Sequence, residues 1–329
     1  MDVMDKQLSI RNRNLTKPAV YAGLIVILSL LPLLIKSPYW LHVFILIFIY
    51  IIATVSLRVI TTSGQFPLAH AAFMGIGAYT SAVVSKELGW TPWLTIPLGA
   101  LAAMVIGILI AYPFARLRAI YYAVVSLFFG IGVLQILFVF EKWTNAYGGL
   151  IGIPYLLGAT KVPYYYFFLG LTSLCLLALY RFEFCRIGTN LKAIAQSYMV
   201  ASSVGINEAR YRVIAVAVGC FFVGLAGATY AHYNVVLSYT SFDMLATLWL
   251  VLYAIVGGMG SFAGPIIGTA VLMVVPELFR ELKEFVPFLS AGILLVVVFL
   301  MPQGLVGLPQ LVRSWIVRRR ERKAITHAS

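Results

Sequence analysis

Ten stretches of this chain are each apolar enough, and about long enough, to lie in lipid. That leaves few folds open, because a backbone crossing hydrocarbon must satisfy its own hydrogen bonds. The stretches are residues 19–35, 39–60, 69–85, 92–115, 119–140, 163–180, 211–235, 243–260, 262–279 and 286–301. A hydrocarbon core of about 30 Å asks for roughly 20 apolar residues per helix. The fold class expected is therefore an all-α polytopic membrane protein of about ten transmembrane helices. The third and ninth stretches are short and rich in Gly and Pro, which predicts one or two short or broken helices. Composition agrees: 62% of residues are hydrophobic, 11% are charged and the mean hydropathy is +0.96.

Basic residues orient the chain, since positive charge stays on the cytoplasmic side. With ten spans and the N-terminus inside, 18 of the 24 lysines and arginines fall on cytoplasmic segments. The expected organisation is a basic cytoplasmic N-terminus over 1–18, a transmembrane domain over 19–308 and a basic cytoplasmic tail over 309–329. The run 19–35 lacks a small-residue cleavage site and is read as a retained anchor. In the tail, Leu311, Val312, Trp315 and Ile316 share one side of a helix followed by Arg318, Arg319, Arg320, Arg322 and Lys323. That pattern suits an anionic lipid surface, so the net charge of +13 needs no nucleic-acid partner.

The spans carry almost no ionisable side chains. His42, His70, His232, Asp243 and Glu277 lie near predicted ends, and proton-coupled carriers ordinarily mark their route with intramembrane carboxylates or histidines. A lone histidine such as His70 or His232 reads as a hydrogen-bonded interface residue. The phosphate-loop pattern G-x-x-x-x-G-K-[ST] is missing, so this chain is not expected to hydrolyse ATP. Cys175, Cys185 and Cys220 show no metal-ligand spacing, and no nucleophile with an acid/base pair converges to make an enzyme. No cofactor is expected in this chain; the driving energy is expected from an external motor.

The longest polar interruption, 181–212, reads as the docking element for that motor. Leu191, Ile194, Ala195, Tyr198 and Ala201 recur at helical spacing, and Gly205 can end the helix in a left-handed cap. Such a helix could press its apolar face into a groove on a soluble partner or rest on the bilayer. Two segments join Gly, Pro and polar side chains within membrane reach: Ser63, Gly64, Gln65, Phe66 and Pro67, leading on to Tyr79, and Gly257, Gly258, Gly260, Ser261, Gly264 and Pro265. Gly64, Gln65, Phe66, Tyr79, Gly258 and Ser261 are the candidates for a translocation path. Close helix packing explains small residues such as Gly75, Gly77, Gly224 and Gly227 equally well. Glu141, Lys142, Trp143 and Asn145 open an external loop running to Lys161, with charges suited to a docking partner.

Six segments resemble one known family, the LivM-type permease subunits of branched-chain amino acid ABC importers. They are SGQFPLAHAAFMGIGAY (63–79), YGGLIGIP (147–154), RIGTNLKAIAQSYMVASSVGIN (186–207), FFVGLAGATYAHY (221–233), VGGMGSFAGPIIG (256–268) and MPQGLVGL (301–308). The resemblance implies that 186–207 is the cytoplasmic coupling loop that contacts the ATPase, with Gly188, Ala193, Ile194, Ala201 and Gly205 on the matching positions; Leu191 joins these coupling-loop candidates by its helical spacing. Family members often carry acidic residues mid-loop, where this chain has Gln196, Ser197, Tyr198 and Met199. It further implies a second related permease, two ATP-binding subunits that consume the ATP, a periplasmic solute-binding protein and a place in the bacterial inner membrane. The solute implied is leucine, isoleucine or valine. Urea, short amides or small aromatic acids carried by the same importer type stay open, as does an ion-coupled secondary transporter.

Overall fold

The computed structural model describes residues 28–32, 37–115, 117, 119–145, 148–158, 160–279, 292 and 304–307. Apolar runs become helices closely matching their sequence limits. They are α1 (Pro38–Thr61), α2 (His70–Glu87), α3 (Pro92–Phe114), α4 (Ala119–Val139), the single turn α5 (Glu141–Thr144) and α6 (Lys161–Phe184). After them come α7 (Arg186–Gln196), α8 (Tyr198–Ser203), α9 (Glu208–Asn234), α10 (Met244–Gly257) and α11 (Ala263–Leu278). Six helical segments of the described residues are long and apolar enough to cross a membrane, and α11 is a shorter apolar helix. The count of about ten is thus only partly visible. Most of the expected first span and of the 286–301 span lies outside the described residues, as do the N-terminal segment and the tail.

Local chemistry sets the helix starts. Pro38 and Pro92 occupy first-turn positions, where their missing N–H is harmless. The Asn207 side chain accepts from the Arg210 amide at 3.1 Å to cap α9, and Asp243 accepts from Ala246 at 2.9 Å to cap α10. Two helices form the centre of the bundle. α1 is buried along most of its length and packs on α6, α9, α10 and α11, while α9 also packs on α2 and α3.

Small residues let α2, α3 and α9 approach backbone to backbone, as the packing reading expects. A Cβ on Gly227 would overlap the Met74 carbonyl, and one on Gly77 would overlap the Gly224 carbonyl. Gly75 leaves room for Phe242, whose ring would lie 3.1 Å from a Cβ there. The lone histidines bind neighbouring helices. His70 Nε2 lies 2.9 Å from Ser56 Oγ, and His232 Nε2 lies 2.9 Å from Ser81 Oγ.

The bundle has two distinct ends. At the Lys161 end, a two-residue antiparallel ladder that the all-α expectation did not include pairs β1 (Leu150–Ile151) with β2 (Val236–Leu237). There His232 Nδ1 sits 2.8 Å from the Pro154 carbonyl, and the Tyr164 hydroxyl accepts from the Leu156 amide at 3.0 Å, so the loop is tied down onto the helices. The opposite end, marked by Arg58, gathers the C-terminus of α6, the pair α7–α8, the start of α9 and the α10–α11 turn.

Candidate functional site

At the Arg58 end the polar interruption folds into two helices. The break is at Ser197, whose backbone is extended at φ −159° and ψ 108° and whose hydroxyl caps α8 by accepting from the Val200 amide. Helix α7 follows α6 with only Cys185 between them. Gly188 is buried against the last turn of α6, where a Cβ would run into the Glu183 carbonyl, so α7 is turned back onto its own bundle. Leu191 and Ile194 are therefore 0% and 2% exposed, and Ala201 is 3% exposed. Within this chain the spaced apolar face is covered by its own bundle. Removing Leu191 and Ile194 from water contributes about 1.5–3 kcal/mol each, and the covalent link to α6 makes the chain itself the nearer surface.

What faces outward is a different set. Met199, Val200 and Val204 are 67%, 65% and 69% exposed, and Ala195 and Gln196 are exposed beside them. Helix α8 ends as expected at Gly205, with φ +82°. The Ile206 amide donates to the Ala201 carbonyl at 3.1 Å and the Gly205 amide to the Ser202 carbonyl at 3.0 Å, which is the Schellman pairing.

Beneath α7 lies an ion cluster that sequence reasoning missed. Arg58 Nε and Nη2 donate to Glu183 Oε2 and Oε1 at 3.0 and 2.7 Å, and Lys192 Nζ reaches Glu183 Oε1 at 3.0 Å. Arg58 and Glu183 are both buried, while the Lys192 side chain is 40% exposed. The remaining Arg58 nitrogen, Nη1, donates to the Met259 carbonyl in the α10–α11 turn. A guanidinium suits this position because its planar fork matches a carboxylate and leaves a donor over. The available signal was Arg58 itself, a cation inside the apolar run 39–60, but its partner is 125 residues away. Nearby, Arg212 pairs with Glu208 at 2.6 Å and holds the Ala115 and Leu117 carbonyls at the end of α3.

The path candidates divide among three places. Gly64 is exposed with φ +79°, and a Cβ there would touch Ala195 of α7 at 3.4 Å. Phe66, partly buried, packs on the main core. Gln65 is 1% exposed, and neither side-chain polar atom finds a hydrogen-bond partner among the described residues. Gly258, at φ +108°, and Ser261 shape the α10–α11 turn beside Arg58. Tyr79 stands apart. It lies nine residues beyond the start of α2, about 14 Å along the axis, with its ring 6.2 Å from that of Phe242 and its hydroxyl unpartnered among the described residues. The start of α2 packs closely on α4 and α10 at a shallow indentation lined in part by Ala69, Gly130, Asp243 and Thr247, with the Ala71 amide donating to Thr247 Oγ1 at 3.1 Å. Among the described residues no three His, Cys, Asp or Glu side chains converge as metal ligands.

Among known proteins, the family described as "Branched-chain amino acid transport system / permease component" matches residues 39–302. The chain belongs to this family. Among the relatives of this permease is the high-affinity branched-chain amino acid transport system permease protein LivM of Salmonella typhimurium, 28% identical over 80% of this chain and 69% of its own length. LivM of Escherichia coli (strain K12) matches with the same identity and coverage. The permease protein LivH of Salmonella typhimurium is 26% identical over 75% of this chain and 87% of its own length. No solved structure matches significantly.

Proposed function

We propose that this permease forms one half of the membrane channel of an ATP-driven importer that carries leucine, isoleucine and valine inward across the bacterial inner membrane. The Arg58 end faces the cytoplasm in this reading, together with both termini. A second related permease completes the channel, a periplasmic solute-binding protein delivers the solute at the Lys161 end, and two ATP-binding subunits supply the work. Family membership supports the transport role, and the LivM and LivH relatives support the solute class and the second permease.

The observation that carries the mechanism is the outward apolar tip of α8. Met199, Val200 and Val204 are exposed where the buried Leu191, Ile194 and Ala201 seat the helix pair against the bundle. A rigid element with an apolar tip can seat in a groove of a soluble motor and transmit its movement. Because a ligand shifts an equilibrium only by its differential affinity, ATP must favour the closed motor, and the tip must carry that preference into the bundle. The amide of Gln65 and hydroxyl of Tyr79, without partners among the described residues, support a polar route, since a buried polar group without a partner is costly. Co-purification tests the docking. Val200→Asp should abolish recovery of the ATP-binding subunit with a tagged permease while leaving membrane insertion unchanged; recovery undiminished in that variant would refute it.

A further inference from the structure

The two Gly-rich interruptions lie far apart in sequence, yet both connect to α7. At the first, Gly64 lies close enough to α7 that a Cβ there would come within 3.4 Å of Ala195. The second is reached through charges: Lys192 of α7 holds Glu183, Glu183 holds Arg58, and Arg58 holds the Met259 carbonyl between Gly258 and Gly260. The links in that chain differ in strength. Arg58 and Glu183 form a buried two-pronged pair, whose rupture leaves an uncompensated charge in a dry site. Lys192 is partly solvated, so its bond can break and re-form at little cost.

We propose that α7 drives both interruptions together, with Glu183 as the positioning residue that joins α7 to the α10–α11 turn and Lys192 as its releasable contact. The turn can follow Arg58 as one piece because its stem is packed backbone to backbone, where a Cβ on Gly257 would overlap the Gly264 carbonyl and one on Gly264 the Gly258 carbonyl. Gly258 has a backbone that L-residues rarely adopt, and a Cβ at Gly260 would meet nothing within 4 Å. Movement of α7 therefore reaches the segment before α2 through the close approach at Gly64 and the α10–α11 turn by the ion cluster, along two separable routes. This inference rests on the docking of α8 proposed above.

The test uses the full complex in proteoliposomes with labelled leucine, in a Cys185→Ser background that removes the exposed native thiol. Reporters are Gly260→Cys in the turn and Thr62→Cys beside Gly64, each read by maleimide labelling with and without ATP. Both should change labelling rate on ATP addition in the otherwise unaltered chain. Glu183→Gln should remove the ATP response at residue 260 and retain it at residue 62, with uptake per ATP hydrolysed falling at least about fivefold. Lys192→Met should do the same without stranding a buried charge, and Lys192→Arg should restore the response. Loss at both reporters, or retention at both, in Lys192→Met would overturn the two-route relay while leaving docking intact. If no ATP-binding subunit co-purifies with the unaltered chain, the docking reading fails and the relay falls with it.

Discussion

Replacing Arg58 and Glu183 singly and together should give strongly non-additive losses of stability. Arg58→Met leaves the Glu183 carboxylate, itself 3% exposed, with only the half-solvated Lys192 as counter-charge. Glu183→Leu leaves the Arg58 guanidinium, 4% exposed, beside a second cation. Breaking a buried pair by removing one partner costs about 3–5 kcal/mol, so additive behaviour would place the double variant about 6–10 kcal/mol below the parent. The structure predicts far less. With both charges gone, Lys192 turns to solvent, and the main remaining loss is the donor to the Met259 carbonyl, about 1–3 kcal/mol. Unfolding of the purified chain in mixed detergent and dodecyl sulfate, followed by tryptophan fluorescence, measures all three variants. A double variant as unstable as the sum of the singles would refute the claim that these two groups neutralise one another.

Gly205→Val should cost about 1–2 kcal/mol locally, because the left-handed backbone, not crowding, penalises the side chain; membrane insertion should be unchanged while ATP-dependent uptake falls, and normal uptake would count against the cap. Leu191→Ala should cost about 2–5 kcal/mol through the cavity beneath α7 and speed proteolytic cleavage between 185 and 207, whereas an unchanged cleavage rate would show that Leu191 does not anchor the helix. Gly227→Leu should force α2 and α9 apart, at a cost of about 1–3 kcal/mol or more, and lower the yield of monodisperse chain in fluorescence-detected gel filtration.

The spans were legible because lipid imposes one demand on every crossing segment, an unbroken apolar run. The runs 39–60, 92–115 and 119–140 became Pro38–Thr61, Pro92–Phe114 and Ala119–Val139. Where the reading fell short, tertiary pairing intervened. The run ending at 180 extends as a helix to Phe184 because Glu183 finds Arg58 and is buried, a pairing no local pattern reveals. The same limit applied to α7. Periodicity at Leu191, Ile194 and Ala201 identified an apolar face but not its recipient, and the Gly188 contact with Glu183 decided that this chain covers it. Gly205 was legible because a left-handed cap is written locally. The exposed tip of Met199, Val200 and Val204 was hidden by the break at Ser197, which rotates α8 away from the spacing of α7.

Uptake of labelled leucine into proteoliposomes tests the central claim most directly, with the complex reconstituted, solute-binding protein outside, ATP inside, and isoleucine, valine, urea and benzoate as competitors. The expected result is ATP-dependent uptake that isoleucine and valine block and urea and benzoate leave unchanged. Uptake by this chain alone without ATP would contradict it.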